Sequence, residues 1–202
     1  MKTLTKSRMS SFMQKIRPFR AVASMVAISC AAGAISCASV PDENRYTIIL
    51  TPDPVQYQDG VSFFMERRCG TLDCHGQDGR PMRIYGARGL RLPNDGGLTP
   101  ANGDTTPAEQ LANFRAVVGL QPEQMSRVVA SGGQNPESLL LLQKPIGDQN
   151  GATGARHKGG SVISTGPSDP GYVCLTEWLA NPDPRTADTS YLAECKTAGN
   201  AY

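Results

Sequence analysis

Cys69-Gly-Thr-Leu-Asp-Cys74-His75-Gly76 places two thiols and an imidazole within seven residues, and three chemistries suit that set. In the first, the thiols add across the two vinyl groups of a porphyrin and the adjacent histidine coordinates the iron from below. The usual spacing is C-x2-C-H, so the x4 loop must bulge while delivering both sulfurs to one macrocycle edge. In the second, Cys69 and Cys74 pair as a disulfide in an oxidising compartment, leaving His75 an ordinary loop histidine. In the third, Cys69, Cys74, His75 and His157 close a four-ligand zinc shell, although adjacent Cys74 and His75 make awkward joint ligands. Covalent haem accounts for the most features.

A haem iron needs a sixth ligand, and the chain offers two histidines and a few methionines. With His75 proximal, His157 is the first choice, Met125 the second, and Met82 or water follow. Met82 is only seven residues from His75, so the chain would have to turn sharply around the haem edge. Met125 lies in a helical pattern and suits a core equally well. Arg80, Arg83, Arg88 and Arg91 are candidate partners for haem propionates through two-pronged guanidinium contacts, and read equally well as solvated.

These residues need elements to hold them. The 202 residues contain 21 Gly and 15 Pro with only 6% aromatics, which describes short elements on long loops. The expected fold is mainly α, one small helical domain with long Gly/Pro-rich loops. Val61, Phe64 and Met65 share a face of a short helix ending near Gly70. Thr106-Pro107 and Glu109 signal the start of a helix with Leu111, Phe114, Val117 and Val118 on one face. Pro122 to Val129 reads as another. A final helix has Ser168 as its candidate cap and Pro170 in its first turn, carries Tyr172, Leu175, Trp178 and Leu179, and stops at Asn181-Pro182. Cys174 in this helix and Cys195, twenty-one positions on, are the expected disulfide, pinning the tail 185–202; two free thiols are the alternative.

Residues 1–37 read as a signal peptide with a lipobox, an address rather than part of the fold. Six basic residues precede the apolar run Ala21 to Ile35, which is shorter than the roughly 20 residues a membrane span needs. Two Ala-Ile-Ser-Cys sequences end at Cys30 and Cys37, each resembling a bacterial lipobox. Cys37 uses the whole apolar run and is the expected lipidated residue, with Cys30 the alternative. Residues 38–58 read as a tether and extended strap, and 59–202 as the domain. After Cys37 the chain carries 14 Lys and Arg against 18 Asp and Glu, with no clustered basic face of the kind nucleic acid requires. The expected location is the periplasmic face of a bacterial membrane, the outer membrane before the inner because Ala38 follows the lipidated cysteine.

A short helix running into Cys-x4-Cys-His-Gly resembles the opening of a class I cytochrome c domain. Further on, Asn135-Pro-Glu-Ser-Leu-Leu-Leu-Leu-Gln-Lys-Pro145, then Arg156-His157-Lys-Gly-Gly160, then Ser168 to Leu179 with Tyr172 and Trp178, is similar to the end of planctomycete-type cytochrome c domains. The middle, Gln77 to Gly133, matches only in being loops and helices. The x4 spacing, Lys158 in the histidine loop and Cys174 in the last helix depart from the pattern. The resemblance implies one covalently held haem c, one-electron transfer with a redox partner protein, and a terminal helix packed across the first. Two readings stand beside it: a haem enzyme or sensor with an open sixth position, and a cofactor-free lipoprotein braced by Cys69-Cys74 and Cys174-Cys195 disulfides.

Overall fold

The order of punctuation in the sequence, Pro at helix starts and Gly after helix ends, carries through to the backbone. The computed structural model describes residues 47–93, 103–147, 156–183, 185 and 188–201, and the fold is mainly α, with no strand among the described residues. Cys30, Cys37 and the rest of the expected address lie outside the described residues, as do residues 38–46 of the tether and strap.

Helix α1, residues 54–68, opens on a short turn Pro54–Gln56, widens into the π segment Tyr57–Val61 and closes as Ser62–Arg68. The later helices are α2 (Pro107–Val118), α3 (Pro122–Ala130), α4 (Leu140–Ile146), α5 (Pro170–Ala180) and α6 (Leu192–Asn200). A 3₁₀ turn, Pro136–Ser138, leads into α4.

The extended strap expected over 38–58 ends early, because α1 begins at Pro54. Asp53 accepts from the Val55 N–H at 3.0 Å, Pro54 takes the first helical position, where its missing N–H costs nothing, and Tyr57 is fully buried. The Asp53 carbonyl in turn accepts the Trp178 indole N–H at 3.0 Å. Upstream, Ile48 and Leu50 are exposed, and the Leu50 N–H donates to Ser126.

At the centre of the core, Tyr57 and Trp178 meet at a tilt and the half-buried Phe114 packs edge-on against both, with ring centres 5.4 to 6.3 Å apart, joining α1, α5 and α2. Each such ring removed from water contributes about 2 kcal/mol. Phe64, Met65, Leu142, Leu175 and Leu179 extend the core.

One expected face and one expected cap shift. Helix α2 is capped by Thr106 and Glu109 in a reciprocal capping box, but Leu111 is exposed while Glu109 and Asn113 are buried. The cause is backbone demand: Asn113 accepts from the Tyr85 N–H at 2.6 Å and donates to the Tyr85 carbonyl at 2.8 Å, so a polar side chain replaces a missing strand partner. At α5 the cap is Asp169, not Ser168; its carboxylate accepts from Gly171 and Tyr172.

The tail contains α6, a helix that its sequence does not announce. Cys195, Ala198 and Gly199 form its buried face, small residues that permit close approach. A side chain at Gly199 would sit 2.5 Å from Phe63, and one at Gly60 2.9 Å from Leu192. Cys174 and Cys195 are bonded, with both side chains fully buried; closing a loop of this length contributes about 3 kcal/mol in the chain-entropy model.

Glu109 also locks the Arg-rich loop. Its carboxylate accepts from Arg91 at 2.9 and 3.1 Å and from the Leu92 and Thr106 N–H groups. Burial alone would raise this carboxyl, but those donors override it and hold it below the usual range. Its contribution to stability is complete above the ordinary carboxylate pKa and is lost as pH falls through the lower folded value. Glu66, raised first by burial against hydrogen bonds from Ser62 and Thr105, acts with the opposite sign. We therefore expect Arg91→Ala to lower unfolding stability by about 3 kcal/mol at neutral pH, measured by urea denaturation. As the pH falls below the ordinary carboxylate range the penalty shrinks, because Glu109 protonates in both proteins; a penalty constant with pH contradicts this account.

Candidate functional site

The end of α1 hands the chain to the C-x4-C-H loop through local hydrogen bonds. The Cys69 and Gly70 N–H groups both donate to the Met65 carbonyl at 2.9 Å, ending the helix. The loop then folds on itself. The Cys74 and Gly76 N–H groups donate to Thr71, and the His75 N–H donates to the Cys69 carbonyl at 2.8 Å. The Ile84 N–H donates to the His75 carbonyl and the Leu90 N–H to that of Gly76, so the next segment returns along the loop. The extra residues of the x4 spacing are taken up in this turn, with Leu72 at its exposed tip.

Close packing of backbone makes the loop specific. A side-chain carbon on Gly76 would lie 2.1 Å from the Gly70 carbonyl oxygen, and one on Gly89 would lie 2.0 Å from it. Only hydrogen fits at both positions.

Cys69 and Cys74 are free thiols, both half-buried, rather than the disulfide of the second chemistry. Burial, and secondarily Cys74, push the Cys69 thiol up to about 12. No group of three or more His, Cys, Asp or Glu converges for a metal ion among the described residues.

His75 and His157, 82 positions apart in the chain, meet on one cavity of about 690 Å³. Their ring centres are 6.3 Å apart and their planes are within 12° of parallel. Each Nδ1 is held by a backbone carbonyl, His75 by Pro81 at 3.1 Å and His157 by Gly160 at 2.8 Å. That contact sets the Nδ1–H tautomer on both rings and leaves each Nε2 with its lone pair. Burial, opposed by the Pro81 carbonyl, lowers the His75 pKa and so favours the neutral, metal-binding form.

No family model, curated protein or solved structure matches this chain.

The remaining candidates divide cleanly. Met82 lines the cavity with an unusual positive φ of 54°, whereas Met125 is buried in the core away from it. Arg91 is committed to Glu109 and Arg83 to Asp78 and Tyr85, leaving Arg80 as the one of the four loop arginines that lines the cavity. Sequence reasoning missed Arg68, Lys144, Arg156 and Lys158, which line it too. Two of them flank His157, and that adjacency was the available signal.

Gly76→Ala should prevent the loop from closing. We expect the purified variant to melt several degrees below wild type, or to fail to accumulate, while Gly79→Ala is milder. Gly79 has positive φ but open space around it, and such a position costs about 1 kcal/mol. Equal melting temperatures for Gly76→Ala and wild type would contradict the packing described.

Proposed function

We propose that the chain is a single-haem c-type cytochrome, with the haem attached through Cys69 and Cys74 and the iron held by His75 and His157, carrying one electron at a time to or from a redox partner protein. The observation that carries the reading is the pair of near-parallel imidazoles on one cavity, each with Nδ1 engaged. Both rings line the same cavity with their planes near parallel, and because each Nδ1 is engaged by a carbonyl, Nε2 is the nitrogen each ring would offer to a metal. A metal held by two protein ligands alone would be weakly bound, so the arrangement suits an ion whose other ligands come with a macrocycle. The cavity volume lies within the roughly 300–1,000 Å³ of cofactor and small-molecule sites, and its Phe64, Met65 and Leu141 walls suit a porphyrin face. Bound haem supplies the redox chemistry. The chain's residues bind it, orient both imidazoles and shield the iron from water.

Mass spectrometry of the denatured protein, made in cells with cytochrome-maturation machinery, should show about 616 Da of added haem. The native spectrum should be low spin, with His157→Ala converting it to high spin. An unmodified mass sinks the proposal. A haem-bearing but high-spin wild type favours instead the enzyme or sensor with an open sixth position.

The same proposal places the protein at the periplasmic face of a bacterial membrane, the outer before the inner, anchored by lipid on Cys37. Support comes from the basic start, the apolar run and Ala34-Ile-Ser-Cys37; several acyl chains hold a protein firmly where one does not. Cys37→Ser should move the protein from the membrane to the soluble periplasmic fraction. If Cys30→Ser does so instead, the anchor is Cys30.

A further inference from the structure

The loop that carries His157 is seated on the end of α4, and the seat has two parts. Pro145 lies inside α4. Its carbonyl accepts two N–H groups from beyond the loop, Val162 at 2.7 Å and Ile163 at 3.2 Å. Next to it, Gly147 at φ 70° approaches Ser161 so closely that a side-chain carbon would sit 2.5 Å from the Ser161 Oγ. With Ile163 buried in the core, the downstream arm is fixed. The upstream arm is tied by Lys144, whose Nζ donates to the Arg156 carbonyl at 3.0 Å, one residue before His157.

Between the arms, His157 closes a turn: the Gly160 N–H donates to the His157 carbonyl at 3.1 Å and the Gly160 carbonyl holds His157 Nδ1. These bonds orient the ring within the turn, but they do not tie the turn to the domain. The ties to α4 do that.

We propose that Lys144 is a positioning residue for the distal imidazole: by clamping Arg156 to the end of α4 it keeps the His157 turn over the cavity and limits how often the sixth position opens. This rests on the haem reading above and adds to it which residue sets the accessibility of the iron. The lysine acts through the loop, by its hydrogen bond to the Arg156 carbonyl. Its Arg equivalent should serve, since a guanidinium also donates to a carbonyl; an alkyl chain of similar length should not.

The test uses the full-length holoprotein. Carbon monoxide binding to the reduced iron is limited by departure of His157, so its rate reports how often the turn opens. Lys144→Leu retains an apolar stem and loses the donor; it should raise the rate about tenfold, the effect of losing one charge-assisted hydrogen bond. Lys144→Arg should stay within about twofold of wild type. Gly147→Ala, which pushes Ser161 from the other side of the seat, should also raise the rate. His157→Ala marks the upper limit. The assignment is overturned if Lys144→Leu changes thermal stability but not the rate, or if Lys144→Arg is as fast as Lys144→Leu. A wild type that carries haem and is low spin, yet insensitive to Lys144, removes this inference alone. A wild type without haem removes both.

Discussion

One contact between backbone atoms governs the site: the Gly70 carbonyl, crowded on two sides by Gly76 and Gly89. Because these segments touch main chain to main chain, the stretch after His75 must return beneath the loop. That return gives Ile84 and Leu90 their hydrogen bonds to His75 and Gly76. The Pro81 carbonyl reaches His75 Nδ1 for the same reason. With a side chain at either glycine, the loop would open by an ångström or more, and the imidazole would lose both its orientation and its tautomer. Thiol spacing matters less than this closure, which is how a loop with four intervening residues still presents a compact Cys-His unit.

The rest of the fold keeps the platform of that loop from moving. Helix α1 leads straight into Cys69, and it is gripped at its start and along one face. At its start, Asp53 and Gln56 are tied to Trp178, Asn181 and Tyr191; along its outer face, α6 lies against Gly60 and Phe63. The Cys174–Cys195 bond joins α6 to α5, so the tail is a brace that cannot leave without breaking a buried covalent link. This offsets the modest hydrophobic core of a chain with few aromatic residues.

Much of this was legible because it follows from local rules. Proline at first helical positions, Thr106 with Glu109, and the period of Val61, Phe64 and Met65 each name a helix without reference to its neighbours. What stayed hidden depends on partners distant in sequence. Asn113 looks solvent-facing until the unpaired backbone at Tyr85 is beside it. Leu111 looks core-facing for the same reason in reverse. Helix α6 has no strong apolar stripe, because its contact is made by Ala198 and Gly199 against a bulky Phe63 rather than by large residues of its own. Met125 and His157 could each be nominated as ligands from chemistry alone, but only three-dimensional placement distinguishes a core methionine from an imidazole on the cavity.

The two histidines are held by unequal means, and that inequality bears on the choice between carrier and open-site haem protein. His75 sits in a loop closed by its own backbone, next to Cys74 in sequence and with its N–H bonded to the Cys69 carbonyl at the end of α1. His157 sits in an exposed turn, attached to α4 through Lys144 and Pro145. Under the haem reading, a ligand on such a turn can leave the metal without unfolding the domain, whereas the proximal one cannot. Two imidazoles keep the iron in one coordination state as it gains and loses an electron, which suits a carrier; loss of the weaker-held imidazole would expose a site where small molecules bind. Under the haem reading, carrier and sensor therefore differ in this fold by the free energy of one turn's attachment rather than by a different architecture. The bonds at the end of α4 set that energy.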